Sequence, residues 1–284
     1  MKIINNDSKK SSNTSNKINN LERYHIRSVE RALILLKTFL DCDEELSVTA
    51  ISQKTNLDIS TTFRLLVTLQ SKGFIHYNNA TGKYRLGVTC LELGSKFIKN
   101  NDIRKVALKQ MEALRNEFGE TVHLTILDGN EVVYLEKLSG LHPIGFMSSH
   151  VGGRAPAYCT GVGKALLAYL PEEEIYKRFG GVKLIKYTQN TIIDIKLLIE
   201  ELAKVREQGF SFDNEEHEIG VKCVAVPIFD HNGVVAAMSI SGPVERMNSH
   251  INQYPGGLIE KLKEAARSVS LQIGGRELVQ EYGK

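Results

Sequence analysis

The sequence predicts an α+β protein in two domains: an N-terminal winged helix-turn-helix, joined by a linker helix to a sensor-like domain built on an antiparallel sheet covered by helices. Three observations point there. Leu46 to Gly87 runs as short helix, turn, second helix and basic hairpin. Two strong hairpin signals downstream are separated by amphipathic helices, which suits an antiparallel sheet covered by helices. Charge is also uneven: residues 1–100 hold 15 Lys+Arg against 9 Asp+Glu, net +6, whereas residues 101–284 hold 21 against 24, net −3. A basic N-terminal third is what phosphate attraction requires. At 284 residues the chain exceeds one ordinary domain, so a second is expected.

The first twenty residues, rich in Asn, Ser and Lys, have almost nothing to bury and are expected to be a disordered tail. Residues 21–87 form the predicted DNA-binding domain. Its first helix carries Val29, Ala32, Leu33, Leu36, Phe39 and Leu40 at a 3.6-residue period and reads as a core helix. Ser47 is a good N-cap for the next, which holds Ala50 and Ile51 and breaks at Asn56. Ser60 is expected to cap the following helix, with Phe63, Leu66 and Val67 on one buried face at i, i+3 and i+4. The opposite face then shows Thr61, Thr62, Arg64 and Thr68, short hydrogen-bonding groups and a guanidinium suited to the major groove of duplex DNA. Gly73 reads as a C′ residue. Phe74 to Tyr77 and Lys83 to Leu86 flank NNATG as a hairpin, with Lys83 and Arg85 on the wing. Arg27, Lys83 and Arg85 are expected to hold backbone phosphates. The candidate DNA-binding set is therefore Arg27, Ser28, Ser47, Ser60, Thr61, Thr62, Arg64, Thr68, Lys83 and Arg85.

Residues 88–101, with Val88, Leu91, Leu93, Phe97 and Ile98, read as a linker helix. The second domain, 102–284, opens on a helix carrying Val106, Met111, Leu114 and Phe118 that Gly119 ends. TVHLTILDGNEVVYLEKL alternates Val122, Leu124 and Ile126 toward one face and turns at Asp128, Gly129 and Asn130. Helices are expected at about 161–169, 172–179, 192–208 and 257–273. VAVPIFDHNGVVAAMSISG supplies the last hairpin, around Asp230 to Gly233.

Within this domain Gly163 and Lys164 adjoin, yet Tyr158 and Ala165 occupy the places where a phosphate loop needs Gly and Ser or Thr. Thr160, Gly161 and Val162 open a helix, where unpaired backbone N–H groups favour a small anion. Asp213, His217 and Cys223 lie close in sequence, and Ser239 and Ser241 share one strand face. Two inward hydroxyls beside a helix start suit a carboxylate ligand. Cys223 with His217 as nucleophile and base, or with Cys159 as metal ligands, is the competing enzyme reading. Each is a set of scattered singletons, so neither catalytic residues nor a metal or other cofactor is expected.

A 42% hydrophobic and 24% charged composition is that of a soluble globular protein. No apolar run approaches the roughly 20 residues that cross a bilayer, and the chain's start lacks a secretory apolar segment. A cytoplasmic protein with no membrane partner is expected. The four cysteines show no CxxC pair, which favours reduced thiols.

From Ile26 to Gly274 the chain resembles the IclR family of bacterial transcription regulators. IRSVERALILLKTF, GRAPAYCTGVGKALLAYLP and GFSFDNEEHEIGVKCVAVPIFDHNGVVAAMSISGP carry the resemblance. It implies a GAF-like effector-binding domain and chains that pair through their DNA-binding halves as dimers or tetramers on a near-palindromic operator. It implies effector contacts at Gly161, Val162, Asp213, Cys223, Ser239 and Ser241, with Met147 and Ala155 on the pocket wall. The expected function is a ligand-responsive repressor of a catabolic operon, sensing a small organic acid.

Overall fold

The structure, a computed structural model, describes residues 24–40, 42, 44–142, 148–252 and 257–275. The chain divides into two units, one ending at Phe97 and the other beginning at Ile98. The tail expected over the first twenty residues lies outside the described residues.

In the first unit, α1 (Arg27–Lys37), α2 (Val48–Thr55) and α3 (Ile59–Ser71) precede an antiparallel hairpin of β1 (Ile75–Asn78) and β2 (Lys83–Leu86). Ser47 caps α2 as expected, accepting the Ala50 N–H at 3.2 Å, and Asn56 ends it in the left-handed region at φ 53°. Asp58, not Ser60, caps α3: its extended backbone lets the carboxylate accept the Thr61 N–H at 2.8 Å, and Ser60 falls inside the first turn. At the other end Gly73 adopts φ 75°. Its N–H reaches the Gln70 carbonyl while the Phe74 N–H reaches Leu69, and this pair of bonds closes the helix. A third strand touches the wing at one rung, where Leu46 and Tyr84 exchange backbone bonds of 2.9 and 2.8 Å.

Two inward faces differ from the sequence reading. The core is Leu35, Phe39, Ile51, Leu66, Ile75 and Tyr84, so Val29, Leu33 and Leu40 of the expected α1 stripe are exposed. Residues 32–36 are all apolar, and spacing alone does not select one azimuth of such a helix. On α3 the buried pair is Thr62 and Leu66, flanked by half-buried Leu65 and Leu69, while Phe63 and Val67 stand outside. A threonine can sit inside here because its hydroxyl donates to the Asp58 carbonyl at 2.9 Å, leaving no unpaired polar group.

The second unit contains α5 (Asp102–Phe118), capped by Asn101 and ended by Gly119 at φ 70°; the division between units falls inside α4 (Val88–Lys99). Six strands, β3 (Thr121–Asp128), β4 (Glu131–Leu138), β5 (Arg154–Pro156), β6 (Ser211–Asn214), β7 (Val221–Asp230) and β8 (Gly233–Pro243), form one antiparallel sheet in the order β5-β4-β3-β8-β7-β6. The helices are α6 (Gly161–Leu167), α7 (Glu172–Phe179), α8 (Ile195–Gln208), α9 (Val244–Asn252) and α10 (Leu258–Gln272). One face of the sheet sends Val122, Leu124, Val224, Met238 and Ile240 against α5 and α10. The other meets α6, α7 and α8 through Val132, Ala225 and Ala237. The helices and both hairpins lie close to where the sequence places them. The short strands β5 and β6 and helix α9 were not anticipated, being brief or dominated by polar residues.

The burial of α3 is testable by urea unfolding followed by circular dichroism. Leu66→Ala should lower the unfolding free energy by about 2–5 kcal/mol. Phe63→Ala should change it by less than about 1 kcal/mol. Equal losses would return Phe63 to the core.

Candidate functional site

Each unit presents a surface with chemistry. In the first it is the outer side of α3. Ser60, Arg64 and Thr68, four residues apart, form an exposed polar row, with Thr61 half-buried beside it. The Thr68 hydroxyl donates to the Arg64 carbonyl at 2.9 Å, so the guanidinium is the freer group on this row. Thr62 does not belong to this surface, as its burial shows. Phe63 and Val67 do, and the sequence reading had placed them inside. Arg27 and Ser28 are exposed at the start of α1, and Ser47 is half-buried and engaged as a cap. Lys83 and Arg85 are exposed on the wing. Arg85 lies 4.0 Å from Glu45, whose carboxylate also accepts hydrogen bonds from Thr81 and Asn78. Those bonds, with the nearby Arg85 and Lys83, hold the Glu45 carboxyl below its ordinary range. Glu45 thus ties the tip of the wing to the segment before α2.

In the second unit a cavity of about 80 Å³ opens between the sheet and α6. Ala155, Gly161, Val162, Asp213, Cys223, Ser239 and Ser241 all line it, gathered from β5, α6, β6, β7 and β8. Met147 lies outside the described residues. Strand pairing explains the assembly. Asp213 opposes Cys223 and Cys223 opposes Ser241 in one row; Ser239 opposes His123 in the next row used. The strands' period of two turns these side chains to the α6 face while Val224 and Ile240 between them face α5 and α10. Gly161 permits the close approach: a Cβ there would lie 3.3 Å from the Asp213 backbone nitrogen and 3.6 Å from the Cys223 Cβ. Thr160 caps α6, accepting the Gly163 N–H at 3.3 Å and donating to Pro156 at 2.9 Å.

His123 lines the cavity and was missed by sequence reading. Its Nε2 lies 2.9 Å from the Ser149 hydroxyl, and its Nδ1 lies 3.4 and 3.5 Å from those of Ser241 and Ser239. Burial, reinforced by the Lys137 charge, pushes its pKa down to about 3, so the ring is neutral and pairs with hydroxyls as donor or acceptor. The signal was available: a histidine between Val122 and Leu124 in an alternating strand must face away from the apolar side.

Asp213 accepts the N–H groups of Glu216 and His217 at 2.8 and 3.4 Å, and burial lifts its carboxyl to about 7. The segment holding those amides is anchored from behind. Thr191 donates to the Glu216 carbonyl at 2.6 Å, and buried Lys164 pairs with the Glu216 carboxylate and lies 3.7 Å from Glu201. Arg154, at the cavity's edge, is engaged by Asp128 and by Glu131 at 3.0 Å. Burial raises the Cys223 thiol, and Asp213 adds to the shift, so the thiol stays protonated and is a poor nucleophile. Burial lowers His217 as well. This geometry does not build the nucleophile and base considered from sequence.

Residues 95–271 match the family model described as bacterial transcriptional regulator IclR C-terminal, and residues 28–79 match the IclR helix-turn-helix domain. The chain is 39% identical over 251 residues to the HTH-type transcriptional regulator XynR of Escherichia coli, covering 88% of this chain and 98% of that protein. It is 34% identical over 253 residues to the transcriptional repressor IclR of Escherichia coli, covering 88% and 91%. Among solved structures, an IclR homolog from Microbacterium hydrocarbonoxydans complexed with 4-hydroxybenzoate aligns with a TM-score of 0.74 at 26% identity, covering 87% of this chain and 98% of that one.

A carboxyl whose pKa rises from 3.8 unfolded to about 7 folded binds its proton more tightly in the native state. Its contribution to stability is fully present below pH 3.8 and is lost as pH rises to about 7. Asp213→Asn should therefore flatten part of the decline in urea midpoint between pH 4 and pH 8. A variant that keeps the wild-type slope would show that Asp213 ionises normally.

Proposed function

Since the chain belongs to the IclR family of bacterial transcriptional regulators, and is a ligand-responsive DNA-binding regulator rather than an enzyme, we propose that it represses a catabolic operon and is released or retained by a small organic acid. The observation that carries this reading is the pairing, in one chain, of an outward polar row on α3 with a separate, hydroxyl-lined cavity. Arg64 reads base edges in the major groove, with Ser60, Thr61 and Thr68 beside it. Arg27, Lys83 and Arg85 hold phosphates and set register without reading sequence. Ser28 and Ser47 lie at helix starts, where backbone and hydroxyl donors suit phosphate oxygens. Thr62 has no part in this contact.

In the cavity, Ser239, Ser241 and neutral His123 offer hydrogen bonds, and Gly161 and Val162 leave room for the ligand. Asp213 and Cys223 close the far wall and Ala155 the near one. The name of the E. coli repressor supports repression, and the 4-hydroxybenzoate bound by the Microbacterium protein supports carboxylates as first probes. The exposed apolar side of α1, Val29 and Leu33 with Ile26 before it, suits pairing of two chains, which a near-palindromic operator would match. No helix among the described residues is long and apolar enough to cross a membrane. Ligand binding acts on DNA affinity by favouring one of two arrangements, a coupling typically of about 1–3 kcal/mol.

Binding to promoter fragments, followed by fluorescence anisotropy, tests the first half. Arg64→Ala should cost about 1–3 kcal/mol on the preferred sequence and little on others. Lys83→Ala should weaken all sequences alike and reduce the slope against salt. Unaltered titrations for both variants refute the assignment.

Thermal unfolding against 4-hydroxybenzoate and short oxo acids tests the second half. A bound acid raises the midpoint by mass action, and Ser239→Ala with Ser241→Ala should abolish the rise. A full rise in the double variant would move the ligand elsewhere.

A further inference from the structure

The outer side of α3 carries a second row beside the polar one. Ile59, Phe63 and Val67 recur every four residues and are 53%, 52% and 49% exposed. At 100° per residue, the direction opposite inward-facing Thr62, Leu65, Leu66 and Leu69 is shared within roughly 30° by Ser60, Arg64, Val67 and Ser71. Phe63 flanks this centre on one side as Thr68 flanks it on the other. A bulky aromatic is therefore held half in water on the same side of the helix as the guanidinium that reads bases. Among the described residues, the core of this unit closes on Leu66, Ile51 and Tyr84 without it.

Resting on the reading that α3 enters the major groove, we infer that Phe63 and Val67 are specificity-determining residues that contact the 5-methyl groups of thymines next to the base read by Arg64. In the major groove the thymine methyl is the apolar feature of the base-pair edges, and apolar side chains recognise it by contact. Successive members of the row are about 6 Å apart along the helix, close to two base-pair steps of about 3.4 Å. Phe63 and Val67 thus reach different base pairs on the side of Arg64 away from Thr68. The occupant is duplex DNA rather than a second copy of this face. Two such faces set together would bring Arg64 toward Arg64, and no carboxylate lies between Ile59 and Lys72 to offset the repulsion. A polyanion complements the row's surroundings of Arg64, Lys83 and Arg85 instead.

The test uses the full-length chain and duplexes it selects from a randomised pool. Each thymine of the enriched half-site is replaced in turn by deoxyuridine, which removes the 5-methyl group alone. At one position or more, wild-type affinity should fall about fourfold, the worth of one buried methyl-sized group. Phe63→Ala or Val67→Ala should bind the thymine and deoxyuridine duplexes alike at that position, whereas Arg64→Ala should keep the ratio. Wild-type indifference to deoxyuridine at every position overturns the inference while leaving sequence-specific binding intact. So does a Phe63→Ala protein whose loss appears in sedimentation as weaker self-association rather than in the methyl ratio. If selection enriches no sequence, the reading of α3 as a base reader falls as well.

Discussion

The cavity exists because consecutive residues of a strand point to opposite faces, and because antiparallel pairing puts equivalent positions of neighbouring strands side by side. Over Val122–Leu124, Cys223–Ala225 and Ile240–Ser241, every apolar residue packed against α5 and α10 leaves its neighbour facing α6. A one-residue slip between β3 and β8 would bury Val122 beside α6 and turn His123 into an apolar core. The hydrophobic face therefore fixes the polar one. Register is held by the apolar contacts, and the hydroxyls and carboxyl of the cavity are carried into place without needing strong bonds of their own.

The helix-turn-helix follows the same division of labour with a different period. Leu66 and Thr62 anchor α3 inward, and Ser60, Arg64 and Thr68 are left on the outside. Thr62 illustrates how a polar residue joins a core: its hydroxyl is satisfied four residues back on its own helix, so the inward face costs no unpaired group. The wing is held from two sides, by the Leu46–Tyr84 rung and by the Glu45 carboxylate, and this fixes the height of Lys83 and Arg85 relative to α3.

Most of the architecture was legible because turn chemistry and long periodic runs are local signals. Gly73, Gly119 and the Asp128–Asn130 turn announce their boundaries whatever surrounds them. Azimuth is different. A run such as Ala32 to Leu36 supplies apolar groups in nearly every direction, and the face that goes inside is decided by partners distant in sequence, here Ile51 and Ile75. The same gap explains the misplaced Phe63 and Val67, and the preference for Ser60 over Asp58 as a cap, where both residue types suit the position. In the cavity, most of the expected residues came together because strand alternation can be read directly. His123 was missed because its partnership with Ser239 and Ser149 spans separate strands and a loop.

The electrostatics of the cavity narrow what kind of ligand it suits. Burial keeps His123 neutral, holds Cys223 protonated and brings Asp213 near neutrality, while Arg154 is engaged by two carboxylates. An anionic ligand entering such a site finds hydrogen-bond donors rather than a formal positive charge. Its desolvation must be offset by the hydroxyls of Ser239, Ser241 and Ser149 together with any proton taken up at Asp213. A proton gained there converts the carboxylate from a repelling charge into a donor. It also alters the acceptor that holds the Glu216 and His217 amides, whose segment is tied through Lys164 to α6 and Glu201 of α8. Asp213 therefore lies where the cavity wall meets the segment that is tied to the α6–α8 layer.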